Sequence, residues 1–413
     1  MPSYSRDIWW RRLVARRLVV LPVLLLVAVV VGTRLAGAVP APVVSRLVGT
    51  GFVVPGAPPV LPWPAIGQAA LDVPSAGVMM ESPGRETPVP VASLAKIMTA
   101  YVVLHDHPLS AYQAGPKLTM NPLDVADAAK DERYDETSVP VTAGEVLSER
   151  QLLDGLLVHS ANNLADTLAR WDAGSVAGFV AKMNATARAM GLTQTHYADA
   201  SGFDPATRST AGDQLRLAQA AMRLPAFASI VDQPVITLPG AGALANYVQA
   251  VGRHGVVGVK SGFTAAAGGC VVLAARRPVG RREVLVMAAV TGQEGYAVLA
   301  RADRIALGLI DAAAGRLRSV RVLSEGEPVE ALQLPWRPES PVPVVTMSDI
   351  GVVGWPGTVV RVAIATKRPL GLLGAHSIIG TATIVAGDRR LACHLELLYG
   401  LRGPPLGWRL LHD

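Results

Sequence analysis

A serine and a lysine three residues apart are the pair in this chain best suited to covalent chemistry. Ser93 and Lys96 fall in the apolar segment 91–104, where residues 94–104 are predicted to form a buried helix. A spacing of three places both side chains on one helical face. Burial lowers the pKa of a lysine, so a neutral Lys96 can take the proton of the Ser93 hydroxyl. The plain alternative is a helix-capping serine with a solvent-exposed lysine.

Lysine is scarce in this chain, which makes its position informative. The 38 basic residues include only six lysines: Lys96, Lys117, Lys130, Lys182, Lys260 and Lys367. Arginine keeps its proton in essentially any protein site, whereas a buried lysine can lose it. A chain that prefers arginine but places a lysine beside a serine fits the need for a titratable amine.

A second polar pair, Ser160 and Asn162, follows the helix predicted over residues 149–158. In a loop at this point the serine hydroxyl can relay protons, and the asparagine amide can hold a substrate. Taken alone, this pattern is also that of an ordinary cap or turn.

A third polar group lies on the strand predicted over residues 256–264, and it reads Lys260, Ser261, Gly262, Phe263 and Thr264. The lysine and a hydroxyl can bind a substrate carboxylate there, and Gly262 would let a substrate backbone approach. The amide of Phe263, together with that of Ser93, can form an oxyanion hole. An edge strand that carries lysine against aggregation is the alternative.

The elements that must position these residues are predicted over residues 65–317. We expect an α/β (α+β) fold in which helices pack on an antiparallel sheet. The predicted helices cover 94–104, 149–158, 163–170, 176–190 and 296–317, and the predicted strands cover 69–80, 256–264, 270–275 and 284–290. After about residue 320, short alternating segments separated by turns predict a small C-terminal β domain over 318–413.

The first 38 residues are predicted to be a signal peptide or membrane anchor. Arg11, Arg12, Arg16 and Arg17 precede the apolar run 18–32, and this order is typical of an export signal. The run is short for a full span, and Ala36 to Ala38 would suit a signal peptidase, so cleavage and retention both stay open. Residues 39–64 are rich in proline and are expected to be an extended linker.

Composition narrows the remaining possibilities. The net charge is +6, with no dense basic run beyond the N-terminus and no interleaved aromatic residues, so no nucleic-acid partner is expected. The two cysteines, Cys270 and Cys393, sit in apolar runs and are expected to be buried free thiols, although export would permit them to pair.

The order and spacing of the three polar groups resemble those of the low-molecular-mass penicillin-binding proteins, the serine D-alanyl-D-alanine carboxypeptidases of the S11-like peptidases. Residues 90–100, PVASLAKIMTA, look like the nucleophile segment of that family. Residues 141–147 and 156–163 are similar to the approach to its second motif, and 191–197, 202–204 and 209–213 resemble later landmarks. Residues 259–264 match the third motif, with Ser261 where threonine is usual. The likeness covers about residues 65–317.

The resemblance implies a penicillin-binding, serine β-lactamase-like catalytic domain and a hydrolase of peptidoglycan stem peptides. Ser93 would attack the D-Ala–D-Ala bond with Lys96 as base, the terminal D-alanine would leave, and water would hydrolyse the acyl-enzyme. Lys260 and Ser261 would bind the terminal carboxylate. Ser160 would be the third catalytic residue, and the other residues expected to bind the substrate are Asn162, Gly262, Phe263 and Thr264.

The same resemblance implies the partners. β-Lactam antibiotics would acylate Ser93 as substrate mimics, and the N-terminal segment would contact the membrane. The protein would act in cell-wall remodelling outside the cytoplasm, membrane-associated or exported. No cofactor and no metal are expected.

Four other functions fit parts of the sequence less well. Class A β-lactamases share the fold but use a glutamate between the second and third motifs; none lies between Asn162 and Lys260, and Asp199 or Asp204 would have to substitute. A catalytically idle scaffold would not need the intact motifs. A zinc peptidase could use His105 and His107, but no HExxH accompanies them. His159 beside Ser160 lacks the elbow sequence of a serine–histidine triad.

Overall fold

The computed structural model describes residues 4–84, 86–367 and 372–412. It begins with one long helix, α1 (Tyr4–Ala36), which contains a 21-residue stretch, Arg16–Ala36, long and apolar enough to cross a membrane, with none of it buried against the protein. The sequence prediction took the apolar run to end at residue 32 and therefore judged it short. The helix continues through Arg34, so the spanning length is reached; an export signal near an N-terminus has the same properties.

Two short strands, β1 (Val43–Arg46) and β2 (Gly51–Val53), separate α1 from the part of the chain that carries the predicted site. The elements of that part are, in chain order, β3 (Gln68–Val73), β4 (Val78–Glu81), β5 (Val89–Pro90), a 3-10 turn (Ala92–Leu94), α2 (Ala95–Asp106), β6 (Lys117–Thr119), α3 (Pro122–Arg133), β7 (Val146–Ser148), α4 (Glu149–Leu157), α5 (Asn162–Ala173), α6 (Val176–Ala189), β8 (Arg208–Ser209), α7 (Ala211–Ala221), α8 (Pro225–Val231), β9 (Val235–Leu238), β10 (Gly242–Ala245), β11 (Val256–Thr264), β12 (Gly268–Val279), β13 (Arg282–Gln293) and α9 (Val298–Ala314).

The C-terminal part is built almost entirely from strands. They are β14 (Arg318–Leu323), β15 (Pro328–Leu334), β16 (Arg337–Thr346), β17 (Ile350–Gly354), β18 (Val359–Thr366), β19 (Ile378–Ala386) and β20 (Arg389–Leu397), followed by the short helix α10 (Leu406–Leu411). The predicted change from mixed to β-rich structure after about residue 320 is confirmed.

An antiparallel sheet of five strands, in the order β11-β12-β13-β3-β4, divides the part that carries the predicted site into two cores. Because successive side chains on a strand point to opposite faces, Val272 and Ala274 of β12 face the core of helices α2 and α4 to α8, whereas Val271 and Leu273 face α9. The predicted α/β (α+β) fold of helices on an antiparallel sheet is confirmed, and β11 lies at one edge of that sheet.

Helix α2 is the centre of the larger core. Its residues from Ala95 to Ala100 are all buried, including Lys96, as the apolar sequence of residues 94–104 predicts. The helix begins at Ala95 rather than at residue 94, because Ala92–Leu94 form a separate 3-10 turn. Ser93 therefore lies in this turn, which leads into the helix and holds the hydroxyl at the edge of the core.

Residues 39–64 were predicted to be an extended linker, but two segments of this stretch are strands of the C-terminal sheet. β1 pairs with β15 and β2 pairs with β18, so that both strands form the edges of a seven-stranded antiparallel sheet, β1-β15-β16-β20-β19-β18-β2. The prolines that suggested a spacer flank the strands, where the ladder loses no donor. Val54 is 1% exposed in the C-terminal core. The proposed domain bounds, 65–317 and 318–413, therefore need residues 43–54 added to the second unit.

Both cysteines are buried free thiols, as predicted. Cys270 lies on β12 in the larger core beside the five-stranded sheet, and Cys393 lies on β20 in the C-terminal core. The two parts of the chain contact each other at Trp355, which is 5% exposed and whose Nε1 donates a hydrogen bond of 2.9 Å to the carbonyl of Ala313 in α9.

Candidate active site

The Lys96 amine lies at the centre of the predicted site. Its Nζ is 2.9 Å from Ser93 Oγ, 2.5 Å from Asn162 Oδ1 and 2.9 Å from the carbonyl oxygen of Ser201. The side chain of Lys96 is 0% exposed, whereas Ser93 is half-buried and reachable from outside. The structure thus brings together the first two predicted groups, Ser93 with Lys96 and Asn162.

Burial lowers the pKa of Lys96 from 10.5 to about 8, and nearby carboxylates limit the shift. The amine therefore loses its proton within a pH range that proteins tolerate. In the neutral form its two N–H groups can donate to the oxygens of Asn162 and Ser201, which accept only. The lone pair then points at the Ser93 hydroxyl, as a general base requires.

The predicted loop residues lie between helices α4 and α5. Ser160 is 5% exposed and has a left-handed φ of 68°, so the chain turns sharply at this point before α5 begins at Asn162. The neighbouring Asn163, which the sequence did not single out, fixes the loop: its side chain accepts from the amide of Val139 and donates to the carbonyl of Val139.

The third predicted group occupies edge strand β11. Lys260 is 0% exposed, and its Nζ donates to the carbonyl of Ser261 at 2.9 Å. Burial lowers the pKa of Lys260 well below its usual range, and the charge of Lys96 lowers it further. Because this amine lies inside the protein, the predicted contact of Lys260 with a substrate carboxylate stays a prediction. Ser261 is buried, Phe263 is 54% exposed and Thr264 is half-buried at the outer end of the strand.

Gly262 has a different neighbour from the one predicted. A Cβ atom at this residue would lie 2.6 Å from the amide nitrogen of Ser93 and 3.1 Å from Ala92 Cβ. The space left by the missing side chain is therefore filled by the backbone of the nucleophile turn, and the approach of a substrate backbone to Gly262 stays a prediction. This close approach brings the Ser93 amide to Gly262, one residue before Phe263 on β11.

A loop over residues 198–207 supplies the second acceptor for Lys96, and its role was missed from the sequence. Asp199 Oδ2 accepts hydrogen bonds of 2.8 Å from Ser201 Oγ and from the amide of Phe203. This bonding holds the Ser201 carbonyl over Lys96. The family-like landmark at residues 202–204 was the available signal, and the carboxylate of Asp199 is committed to its own loop rather than offered as the deacylating base of a β-lactamase.

The histidines weighed for other chemistries have local partners. His107, which follows the end of α2, has its Nε2 3.2 Å from Asp172 Oδ1, and its ring stacks on that of Trp171 in α5. His105 pairs with the adjacent Asp106. His159 stacks on Tyr247, with ring centroids 5.0 Å apart. Each of these contacts accounts for the histidine as part of a helix end or loop.

Comparison with known proteins agrees with the geometry. The sequence profile of the D-alanyl-D-alanine carboxypeptidase family, Peptidase S11, matches residues 68–291. The chain is 36% identical over 241 residues to D-alanyl-D-alanine carboxypeptidase DacB2 of Mycobacterium tuberculosis, covering 56% of this chain and 77% of that protein. It is 32% identical over 163 residues to a D-alanyl-D-alanine endopeptidase of Pseudomonas aeruginosa, covering 39% of this chain and 49% of that protein.

The fold has the same relatives. The crystal structure of a peptidoglycan synthesis regulatory factor, PBP3, from Streptococcus pneumoniae superposes with a TM-score of 0.66 at 18% identity, covering 82% of this chain and 99% of that one. The antiparallel sheet, the buried lysine and the serine beside it define a penicillin-binding serine peptidase. The chain belongs to the D-alanyl-D-alanine carboxypeptidase family, Peptidase S11.

Proposed function

We propose that this protein is a serine-type carboxypeptidase that removes the terminal D-alanine from peptidoglycan stem peptides and that β-lactams acylate it at Ser93. The observation that carries the proposal is the fully buried Lys96 amine, 2.9 Å from Ser93 Oγ and bonded to two further oxygens. This is the arrangement of an activated nucleophile and its base.

In the proposed reaction, Ser93 Oγ attacks the carbonyl carbon of the penultimate D-alanine while Lys96 takes its proton. The backbone amides of Ser93 and Phe263 stabilise the oxyanion. The C–N bond then breaks, and the proton reaches the departing amine of the terminal D-alanine through Lys96 or the Ser160 hydroxyl. A water molecule then attacks the ester carbon: its hydroxyl stays on the peptide as a carboxyl group, the bond to Ser93 Oγ breaks, and the second proton of the water passes to Ser93 Oγ.

The remaining predicted residues take supporting roles in this proposal. Asn162 orients Lys96 and faces the substrate amide, and the hydroxyls of Ser261 and Thr264 receive the terminal carboxylate. Lys260, buried behind the site with its Nζ bonded to the Ser261 carbonyl, is proposed to take part with Ser261 in binding that carboxylate.

The place of action follows from the substrate. Peptidoglycan lies outside the cytoplasm, and the stretch Arg16–Ala36 would export the chain and, if it is not cleaved, retain it at the membrane. The enzyme would then reach the cell wall from the outer face of the membrane.

The test uses the fragment that begins at residue 39, incubated with a stem pentapeptide ending in D-Ala–D-Ala, with free D-alanine as the readout. The fragment is expected to release D-alanine and to become labelled by a fluorescent penicillin, and Ser93→Ala is expected to do neither. Labelling without D-alanine release would refute the carboxypeptidase. Sustained turnover of a chromogenic cephalosporin, in place of a single burst, would identify a β-lactamase instead.

A further inference from the structure

One carboxylate outside the predicted site is bonded directly to it. Glu136 lies in the loop after α3, and its Oε2 accepts a hydrogen bond of 2.6 Å from Asn162 Nδ2. The other end of the same amide, Asn162 Oδ1, accepts from Lys96 Nζ at 2.5 Å. Glu136, Asn162 and Lys96 therefore form one continuous chain of hydrogen bonds that ends at the nucleophile.

The loop that carries Glu136 is itself held in place. The amide of Glu136 donates to the carbonyl of Asp131 at 2.8 Å, and the carbonyl of Thr137 accepts from the backbone amide of Asn162 at 2.7 Å. Residues 136 and 137 thus contact both the side chain and the backbone of Asn162. The Glu136 side chain is half-buried, so this contact is partly shielded from water.

The orientation of the Asn162 amide matters because its two ends do opposite things. With Oδ1 toward Lys96, the amide accepts an N–H of the amine and leaves the lone pair for Ser93. Turned over, the amide would put an NH₂ group against the amine and an oxygen against the Glu136 carboxylate. An ionised carboxylate only accepts hydrogen bonds, so Glu136 permits the first orientation and rejects the second.

We infer that Glu136 is a positioning residue of this enzyme, which acts through Asn162 to fix the direction of the Lys96 lone pair at Ser93. The inference rests on the proposed function, since it assigns Lys96 the role of base. The hydrogen bond of Glu136 goes to Asn162, so its effect reaches Ser93 through the Asn162 amide and Lys96.

The charge of Glu136 also acts on the pKa of Lys96. This effect slows acylation, whereas the effect of Glu136 on the orientation of Asn162 speeds it. Four carboxylates raise the pKa of Lys96 against the effect of burial: Asp199 of the 198–207 loop, Asp131 of α3, Glu136 and Asp166 of α5. The amine of Lys260 faces Lys96 from β11. Removal of the Glu136 charge therefore lowers the pKa of Lys96 and leaves more neutral amine at a given pH.

Together, these two effects change the pH profile of acylation in a way that a loss of folding would not. The test measures the rate constant for acylation of Ser93 by a fluorescent penicillin between pH 6 and pH 10, on the fragment that begins at residue 39. For Glu136→Ala, the high-pH plateau is expected to fall by about tenfold or more, and the rising limb to move to lower pH by roughly half a unit. Glu136→Gln keeps the size of the side chain and is expected to show the same movement with a smaller fall.

The matched control is Asp135→Asn, which removes one charge from the adjacent, exposed residue. Its left-handed φ of 56° is a conformation that asparagine tolerates, and its profile is expected to follow that of the wild type. Thermal unfolding midpoints close to the wild-type value show that the variants are folded. Should Glu136→Ala fail this check, the profile of Glu136→Gln decides.

The outcomes separate this inference from the function on which it rests. A wild type that is acylated, with Glu136 variants that follow its profile or lose rate without any movement of the limb, overturns the positioning role alone. A movement of the limb to higher pH overturns it also. A wild type that penicillin never acylates at Ser93 overturns the proposed function and this inference together.

Discussion

At the scale of single residues, the chemistry depends on an amine that the protein keeps out of water. Water stabilises an ammonium ion, so the burial of Lys96 brings its pKa to about 8. Three oxygens surround the amine of Lys96. When Lys96 is an ammonium ion, all three oxygens accept hydrogen bonds from it. When Lys96 is neutral, the Ser93 hydroxyl donates to it instead. The same contacts thus serve both protonation states.

The rate of acylation is therefore expected to rise with pH. The neutral amine is the active form, and its fraction grows as pH passes upward through the pKa of about 8. Below that value the rate constant should change by about tenfold per pH unit, and above it the rate should level off. The measurement is penicillin acylation from pH 6 to pH 10. A flat profile, or one that falls as pH rises, would contradict the role of Lys96.

Replacement of the amine by a permanent cation gives a sharper form of this test. Arginine stays protonated in essentially any site, so Lys96→Arg is expected to lose acylation by at least about a hundredfold at every pH. Lys182→Arg, on the half-exposed surface of α6, serves as the control for a change of the same type. Acylation of Lys96→Arg at near the wild-type rate would exclude a lysine base.

The reactive residues of the site could be predicted from the sequence, but not all of the residues that position them. Ser93, Lys96 and Asn162 have side chains that suggest a role, and they meet in the structure. The carbonyl of Ser201 has no side-chain signature, since every residue has one. Glu136 lies in a loop whose path is set by tertiary contacts, so no local pattern places it beside Asn162.

At the scale of secondary structure elements, β11 and the nucleophile turn form one unit. The 3-10 turn Ala92–Leu94 lies against the end of the strand at Gly262, where no side chain intervenes. Ala92 has a φ of 50°, in the left-handed region that an alanine adopts at some cost. This local strain is tolerated because the strand, the turn and the loop at Gly202 contact one another so closely that the turn has little freedom.

Gly262→Ala is therefore expected to displace the nucleophile. The added Cβ would lie 2.6 Å from the Ser93 amide nitrogen, so the turn must shift or the strand must bend. We expect the acylation rate to fall by about tenfold or more, since displacements near 1 Å at a reacting centre have effects of that size. The measurement is penicillin labelling at a fixed pH.

Gly308→Ala is the matched control for this prediction. Gly308 lies in α9 on the opposite side of the sheet, and a Cβ there would meet nothing within 4 Å. This substitution should leave acylation unchanged and stabilise the helix by about 0.5–1 kcal/mol. Equal acylation rates for Gly262→Ala and the wild type would show that the close approach of the two backbones has no functional consequence.

Element types were easier to predict than their partners. Alternating and apolar periodicity placed β11 at its observed bounds and α9 within three residues of them, but it found only the inner parts, 270–275 and 284–290, of the longer strands β12 and β13. The strands at residues 43–46 and 51–53 were missed, because each is three or four residues long and stands among prolines. Their structure comes from pairing with strands about 300 residues later in the chain, which a local pattern does not contain.

At the scale of the whole molecule, the β-rich unit joins the N-terminal helix to the catalytic part. β1 follows α1 directly and pairs with β15, and Arg409 of α10 donates to the carbonyl of Leu35 at the end of α1. On the other side, Trp355 inserts into the core beneath α9. After α1 the chain therefore contributes two strands to the β-rich unit and only then enters the catalytic part. The β-rich unit lies next to the end of the apolar helix.

Removal of β1 and β2 is expected to damage this unit and spare the catalytic site. A fragment that begins at residue 57 loses both edge strands and Val54, which is 1% exposed in the C-terminal core. The edges of β15 and β18 would then be unpaired, and unpaired edges invite association with other chains. Compared with the fragment that begins at residue 39, we expect a lower unfolding temperature and higher oligomers in size-exclusion chromatography.

Penicillin acylation of the fraction that remains folded should persist, because the site residues lie between 93 and 264. Equal unfolding temperatures and equal elution would show that the two strands add nothing to the sheet, and loss of acylation from folded protein would show that the β-rich unit supports the site itself.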